Sequence, residues 1–486
     1  MNEEAFSKYY ANALQVTTDT PPPHILKAQE YFKIKPNEVM YQTLDKLSFT
    51  NQNLDIISLP SDSYLYLKVG IKHTVGDMDA NDDMVYQANA TIGGADHANA
   101  TSLKNPDRYW RTISVPASAA FIGGYTYKIN DVTIDTQNSE TALGLNAVNS
   151  GVFSPSNKAD IISGMSEPEK YLMYQAHKKD GYMEFLCPLK YVVPFFKANQ
   201  TLWGVKQSLE INKATLQDTF AYYNPEFVNG LTLNEITQLD IKSCEWYLPY
   251  IRIENETQSE IYDSMYNNKI TRYWLGREVF VSTTMPNTQD NTNEIYCVAS
   301  RGVNHQPRWL LIDAVNGASP TITNNNAKPL GFVNKGNSSG AQNNFCLSKL
   351  RIKMNGIFID GGSPLEMDCM QVTASTSQPY TQHTGYWESC ITYCKFHNQM
   401  HDSTILSPLS YNEWLQNQIY VFDLVNTVDT ELIFQNSNNT IVIEIEYSTK
   451  RGSMTANTSY RIVATLLHDK MIEISHAKNS ATIISN

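Results

Sequence analysis

Charge is scarce in this chain. Only 18% of its 486 residues are Asp, Glu, Lys or Arg, against about 25% in an average soluble domain. Uncharged Asn, Thr, Ser and Gln take up the difference, which gives a surface suited to packing against copies of itself. The formal net charge is −12, which argues against broad attraction to nucleic acid or to an anionic membrane; no run of Lys or Arg marks a local basic patch. Long apolar runs are missing too. Stretches such as Tyr191 to Phe196 fall far short of the ~20 residues a membrane helix needs, so no membrane insertion is expected. The chain opens Met1-Asn2-Glu3-Glu4, which does not read as a secretory signal. The seven cysteines, at 187, 244, 297, 346, 369, 390 and 394, are odd in number and do not space like a disulfide framework. They read as reduced thiols of a cytosolic or nuclear protein. The seven Asn-x-Ser/Thr sequons, from Asn89 to Asn457, then read as accidents of an Asn- and Thr-rich composition.

Enzyme signatures are equally absent. There is no Walker A sequence, no His-Glu-x-x-His and no Gly-x-Gly-x-x-Gly after a strand. No alternation of strand and helix patterns suggests a parallel α/β sheet.

What is present is a period of two. Leu65, Leu67, Val69 and Ile71 alternate with Tyr64, Tyr66, Lys68 and Gly70, one face apolar and one amphipathic, as in a half-buried antiparallel strand. Strands are predicted at 112–115, 125–129 and 132–135, the last two flanking Asn130-Asp131, a two-residue hairpin signal. Phe185 to Phe196 is apolar but carries Pro188 and Pro194, which argues against a central strand. Strands at 205–211 and 244–253 complete the first half. A short acidic helix near 257–266 reads as a linker. The second half predicts strands at 270–274, 278–282, 294–300, 308–313 and 350–354. Asn355-Gly356 then turns the chain into 357–359. Strands at 420–424, 440–447, 461–466 and 471–475 follow. Further helices are expected near 4–14, 166–177, where Pro168 and Glu169 fall in the first turn, and 410–417, where Ser410 and Glu413 form a capping box. Each half thus holds about eight short strands. That pattern fits two eight-stranded sandwiches that repeat in pattern and not in sequence.

Three groups of residues invite a chemical reading. Cys390, Cys394, His397 and His401 have zinc-like residue types. On one helix, however, they would spread over ~16 Å at 1.5 Å per residue, too far for one ion with bonds of ~2 Å. A packed helix face is the expectation, and no metal or cofactor is assigned. Asp77-x-Asp79-x-Asn81 begins like a calcium loop, but Asp82 stands where Gly is needed and Ala88 where the bidentate Glu belongs. Asp360-Gly361-Gly362-Ser363 follows a hairpin strand, where paired glycines serve turns. Carboxylate pairs for glycoside cleavage meet only in space, and the 29 tyrosines could line a sugar-binding groove. A glycan-binding attachment protein is therefore the alternative to a structural role.

Seven segments, in order, carry a resemblance: Ile56 to Leu67, Tyr127 to Asp135, Phe185 to Leu189, Trp246 to Pro249, Pro307 to Ile312, Leu350 to Gly356, and Leu409 to Leu415 leading into Tyr420 to Leu424. Together they resemble double jelly-roll major capsid proteins of the adenovirus, virophage and polinton lineage, and are most similar to the polinton-like members. One departure is Asn130-Asp131 where relatives tend to have Asn-Gly; both tolerate the left-handed turn. The resemblance implies an all-β protein with an N-terminal arm at 1–45, jelly rolls at 46–253 and 269–478, a linker helix at 254–268 and a tail at 479–486. It implies a pseudo-hexagonal homotrimer that tiles an icosahedral virion capsid, assembled in host cytoplasm or nucleus, with penton and minor capsid proteins as partners. It implies neither an enzyme nor a sequence-specific nucleic-acid binder.

Overall fold

The computed structural model describes residues 26–38, 45–72, 77–78, 84–85, 111–113, 122–137, 148, 182–198, 201–213, 220–222, 238–253, 263, 266, 269–282, 293–300, 307–316, 345–359, 365–366, 384–401, 419–425, 441–451, 460–475 and 480–483. Sixteen strands carry the architecture. The first eight are β1 (Leu26–Ile34), β2 (Lys46–Asn51), β3 (Tyr64–Lys72), β4 (Ile122–Ile129), β5 (Val132–Gln137), β6 (Tyr182–Pro188), β7 (Gln207–Lys213) and β8 (Gln238–Ile253). The second eight are β9 (Lys269–Val281), β10 (Asn293–Ser300), β11 (Pro307–Asn316), β12 (Phe345–Met354), β13 (Ile357–Phe358), β14 (Tyr420–Asp423), β15 (Ile441–Arg451) and β16 (Tyr460–Ser475).

The first set forms two antiparallel sheets in the orders β1-β8-β3-β6 and β2-β7-β4-β5. The second forms β9-β16-β11-β14 and β10-β15-β12-β13. Adding eight to each label of the first pair gives the second pair. Both halves are therefore jelly rolls of one topology, and the all-β double jelly roll expected from the sequence is the fold.

Alternation explains why these segments pair. In β3 Leu65 and Leu67 are buried while Tyr64, Tyr66 and Lys68 are partly exposed. Phe49, Leu209, Tyr127 and Trp246 come from four other strands to meet them in the first core. The Tyr127 hydroxyl donates to Gln207 Oε1 at 2.9 Å, and Gln207 Nε2 donates to Ser58 Oγ at 2.7 Å, so these buried polar atoms are satisfied. The second core gathers Leu310, Ile312, Ile352, Met354, Ile443, Ile445 and Leu466. The proline-marked segment behaves as its composition demands. Its first part is β6, at a sheet edge where a missing N–H costs no ladder bond. After Pro188 it becomes helix α1 (Leu189–Val192) and then a 3-10 turn, Pro194–Ala198.

Both predicted hairpins form, and they close in the same way. Asn130, Asp131 and Asn355 have positive φ of 48°, 65° and 50°, and Gly356 has 82°, as a two-residue hairpin loop requires. Asn130 Oδ1 accepts from Lys206 N at 2.8 Å while Asn130 N donates to Lys206 O at 2.9 Å. Asn355 does the same with Val442, at 2.8 Å each way. Each asparagine staples its turn to the neighbouring strand.

Four features depart from the sequence reading. The segment taken for an arm supplies β1, paired along β8 from Leu26↔Ile253 to Ile34↔Trp246. Within the segment taken for a tail, Ser480–Ile483 pairs with β16. The strands split at Leu275-Gly276 and at Leu467 to Lys470 are continuous, because β9 and β16 pair without a break from Lys269↔Ser475 to Val281↔Val463. The halves also do repeat locally in sequence. Lys128-Ile-Asn-Asp-Val-Thr-Ile-Asp135 and Lys353-Met-Asn-Gly-Ile-Phe-Ile-Asp360 align in sequence with Lys, Asn, Ile and Asp in register, and Lys128–Ile134 and Lys353–Ile359 form the same hairpin. Asp263 and Tyr266, in the expected linker, are helical. The helices expected at 4–14, 166–177 and 410–417 lie outside the described residues.

Candidate functional site

The Cys/His segment lies on helix α2 (Thr384–His401). Cys390, Tyr393 and Phe396 are buried in the second core, where the Phe396 ring meets Trp309 at 5.4 Å edge to face. These positions fall at helical spacing on one stripe, as in any helix that buries a face. A hydrogen bond with Cys394 and burial push the Cys390 thiol well above its ordinary pKa. His397, also buried, packs on the Tyr393 and Phe396 rings at 5.0 and 6.0 Å. Burial and the nearby Lys197 charge hold its pKa down to about 4, so the ring is neutral at pH 7. His401 ends the helix. Among the described residues, no three His, Cys, Asp or Glu side chains are grouped to hold a metal ion.

Of the calcium-like residues, Asp77 pairs with Val85 in a short two-stranded ribbon; Asp79, Asn81, Asp82 and Ala88 lie outside the described residues. So does Asp360 to Ser363. No helix among the described residues is long and apolar enough to cross a membrane.

The junction between the jelly rolls carries the most specific polar chemistry among the described residues. Strands β9 and β16 run past the second core onto the first, and Trp274, Ile472 and Ile474 belong to the first core cluster. The Trp274 ring meets Phe195 at 5.0 Å edge to face. Asp135, at the end of the first repeat motif, has a fully buried side chain. It accepts the Phe195 N–H at 3.1 Å and Lys470 Nζ at 3.2 Å. Lys470 reaches it across Gly276, where a Cβ would stand 2.5 Å from Lys470 Cε. Any larger residue at 276 would force the Lys470 stem to shift. Arg277, 3% exposed, donates to the Val192 carbonyl at 2.7 Å and so caps α1 of the other jelly roll. Beside it, burial, Arg277 and Lys190 bring the Lys197 ammonium down to a pKa of about 7. Sequence reading missed this junction. Its available signals were a glycine inside a strand pattern and an Asp ending an apolar hairpin.

The outer side of the first sheet is aromatic. Tyr66 stacks on Tyr247 at 5.9 Å, Tyr31 lies 6.3 Å from Tyr64, and Lys33 Nζ sits 5.1 Å over the Tyr247 ring. The side chain of Tyr31 is 44% exposed. This chemistry is that of a contact surface.

No protein-family model matches the chain, and no curated protein matches it in sequence. Solved structures do match in fold. A chain from the 3.5 Å cryo-EM structure of the Sputnik virophage aligns with a TM-score of 0.52 and 9% identity, over 95% of this chain and 89% of that one. The mavirus major capsid protein aligns at 0.50 and 11%, over 94% and 90%. The PBCV-1 protein VP54 aligns at 0.50 and 12%, over 97% and 99%. At such identities the likeness establishes the fold, and it spans both jelly rolls and the connection between them.

Proposed function

We propose that this chain is a viral major capsid protein, non-enzymatic, that forms homotrimers of pseudo-hexagonal outline and tiles an icosahedral shell. What carries the reading is the strand order repeated with an offset of eight inside one chain, in a fold shared end to end with the mavirus major capsid protein. Two sandwiches of one topology give a trimer six similar flanks, which suit a hexagonal lattice, while three-fold closure limits the particle. Low charge and an aromatic outer sheet suit lattice contacts. Penton and minor capsid proteins are the expected partners, and the virion is the expected location, with assembly in host cytoplasm or nucleus. The face of α2 bearing Cys390, Cys394 and His397 serves packing and holds no metal.

Light scattering and negative-stain imaging of the purified protein test this. The expected particle has three times the 54.9 kDa chain mass and three-fold symmetry. A monomer at micromolar concentration would overturn the proposal.

A further inference from the structure

Two side chains at the junction carry donors that the protein leaves unanswered. Arg277, on β9, is 3% exposed, and Tyr125, on β4, is 1% exposed. The guanidinium spends its outer nitrogens on the end of α1, Nη2 on the Val192 carbonyl at 2.7 Å and Nη1 on the Tyr191 carbonyl at 3.5 Å. Its Nε–H and the Tyr125 hydroxyl make no hydrogen bond. Yet the two groups are neighbours, and the Arg277 charge bears directly on the phenol. Buried donors are rarely left in this state.

Charge is unbalanced at the same place. Lys197, on the Pro194–Ala198 turn, faces Arg277 and Lys190 as like charges. It acts in turn on the neutral His397 ring of α2. One acid, Asp135, also bears on Tyr125. Its two oxygens are already engaged, Oδ1 by Lys470 and Oδ2 by the Phe195 N–H. None of the ion pairs among the described residues includes Arg277 or Lys197. A buried cation without a counter-charge is costly.

We propose that Arg277 Nε, the Tyr125 hydroxyl and the Lys197 ammonium hold a chloride ion between the two jelly rolls. The guest must accept from an N–H, an O–H and an ammonium at once, which a spherical anion does without directional demand. It must also shed its water to lie among groups this buried. That cost rises steeply with charge, so monovalent chloride is favoured over sulfate or phosphate. A water molecule would answer the two donors and leave the positive charge standing. β4 and the Pro194–Ala198 turn belong to the first jelly roll and β9 to the second, so the ion ties one to the other.

Urea unfolding of the full chain tests this, at fixed protomer concentration and at a pH below the Lys197 value of about 7, where the ammonium is charged. Sodium chloride replaces sodium gluconate at constant ionic strength. A ligand held by the folded chain alone lowers the unfolding equilibrium constant up to about tenfold for each tenfold rise in its concentration above Kd. Wild type should show that dependence, and bromide should reproduce it. Tyr125→Phe and Lys197→Met, checked for folding by circular dichroism, should each need at least tenfold more chloride for the same response. Chloride should also narrow the stability gap between wild type and Lys197→Met, because it offsets the charge that makes Lys197 costly. Crystals of wild type grown in bromide should give a bromine anomalous peak between Arg277 and Tyr125. A chloride response equal in all three chains, or bromide crystals without that peak, would refute the site. The site lies within one chain, so neither outcome depends on whether trimers form.

Discussion

Replacing Lys470 by Met tests whether the junction holds the two jelly rolls together by a buried ion pair. The perturbation keeps most of the aliphatic stem and removes the ammonium. It leaves the Asp135 carboxylate, with no side-chain exposure, holding only the Phe195 N–H at 3.1 Å. Stranding one member of a buried pair costs about 3–5 kcal/mol. Lys470 keeps 16% exposure and one N–H bond to Asp135 survives, so the lower end, about 3 kcal/mol, is expected. Asp135→Asn removes the charge while its amide oxygen still accepts from Phe195. The double variant should therefore recover about 2 kcal/mol relative to the sum of the singles. Urea denaturation at fixed protomer concentration reads this, since association contributes to apparent stability. The control is Lys206–Asp131, 2.9 Å apart with 40% and 75% exposure, whose loss should cost no more than about 0.5 kcal/mol. Gly276→Ala should act through the same pair, because its methyl group occupies the Lys470 path. If Lys470→Met cost no more than the surface control, or the double cycle showed no coupling, the ionic account of the junction would be refuted.

Four further outcomes follow from the turns and the buried titratable groups. Asn130→Ala and Asn355→Ala should each cost about 2 kcal/mol by denaturation, one part for placing Ala at positive φ and one for the lost bond to the adjacent strand. Asp131→Gly, which restores the Asn355-Gly356 pattern, should be neutral to stabilising by up to about 1 kcal/mol. Lys197 has its folded pKa lowered from 10.5 to about 7, so between those values the unfolded chain binds more protons and stability rises with pH. Lys197→Met should melt higher than wild type at pH 7, with the gap closing by pH 10; an unchanged gap would count against a depressed lysine. His397 is lowered from 6.5 to about 4, so wild type should lose stability as pH falls through that window, by about 3 kcal/mol, and His397→Gln should flatten the loss.

Much of the fold was legible because antiparallel strands with one wet face write a period of two. The Asn130 and Asn355 turns were legible because few side chains tolerate their φ. Strand ends were not legible. At Gly276 the pattern lapses because Lys470 crosses there, and at His468 and Lys470 polar residues sit on a buried face because that face meets the other jelly roll. β1 was misread for a similar reason. Its alternating Glu30, Tyr31, Phe32 and Lys33 look like a solvated arm, and only its pairing to Leu248–Ile253 reveals a sheet edge. The candidate metal segment was legible as a helix face by its spacing, whereas its role depends on Trp309 and Lys197, distant in sequence. Non-local partners decide these cases, and periodicity carries no information about them.

The junction also bears on how the chain folds. Trp274, Ile472 and Ile474 complete the first core, and Val148, from the first half, belongs to the second. Neither half closes its own core. Burying one such side chain is worth about 1.5–3 kcal/mol, so four exchanged residues place a large share of a domain's ~5–15 kcal/mol net stability in the contact between halves. The two sandwiches therefore behave as one cooperative unit, fixed in angle by Arg277 on Val192 and Lys470 on Asp135. The proposed shell role would need that property: if one chain supplies two adjacent positions of a hexagonal tile, any hinge between its halves would be a hinge in the lattice. The apolar exchange supplies the affinity of the halves for each other, and the directional ion pair and carbonyl cap select one orientation among those the apolar surfaces would tolerate.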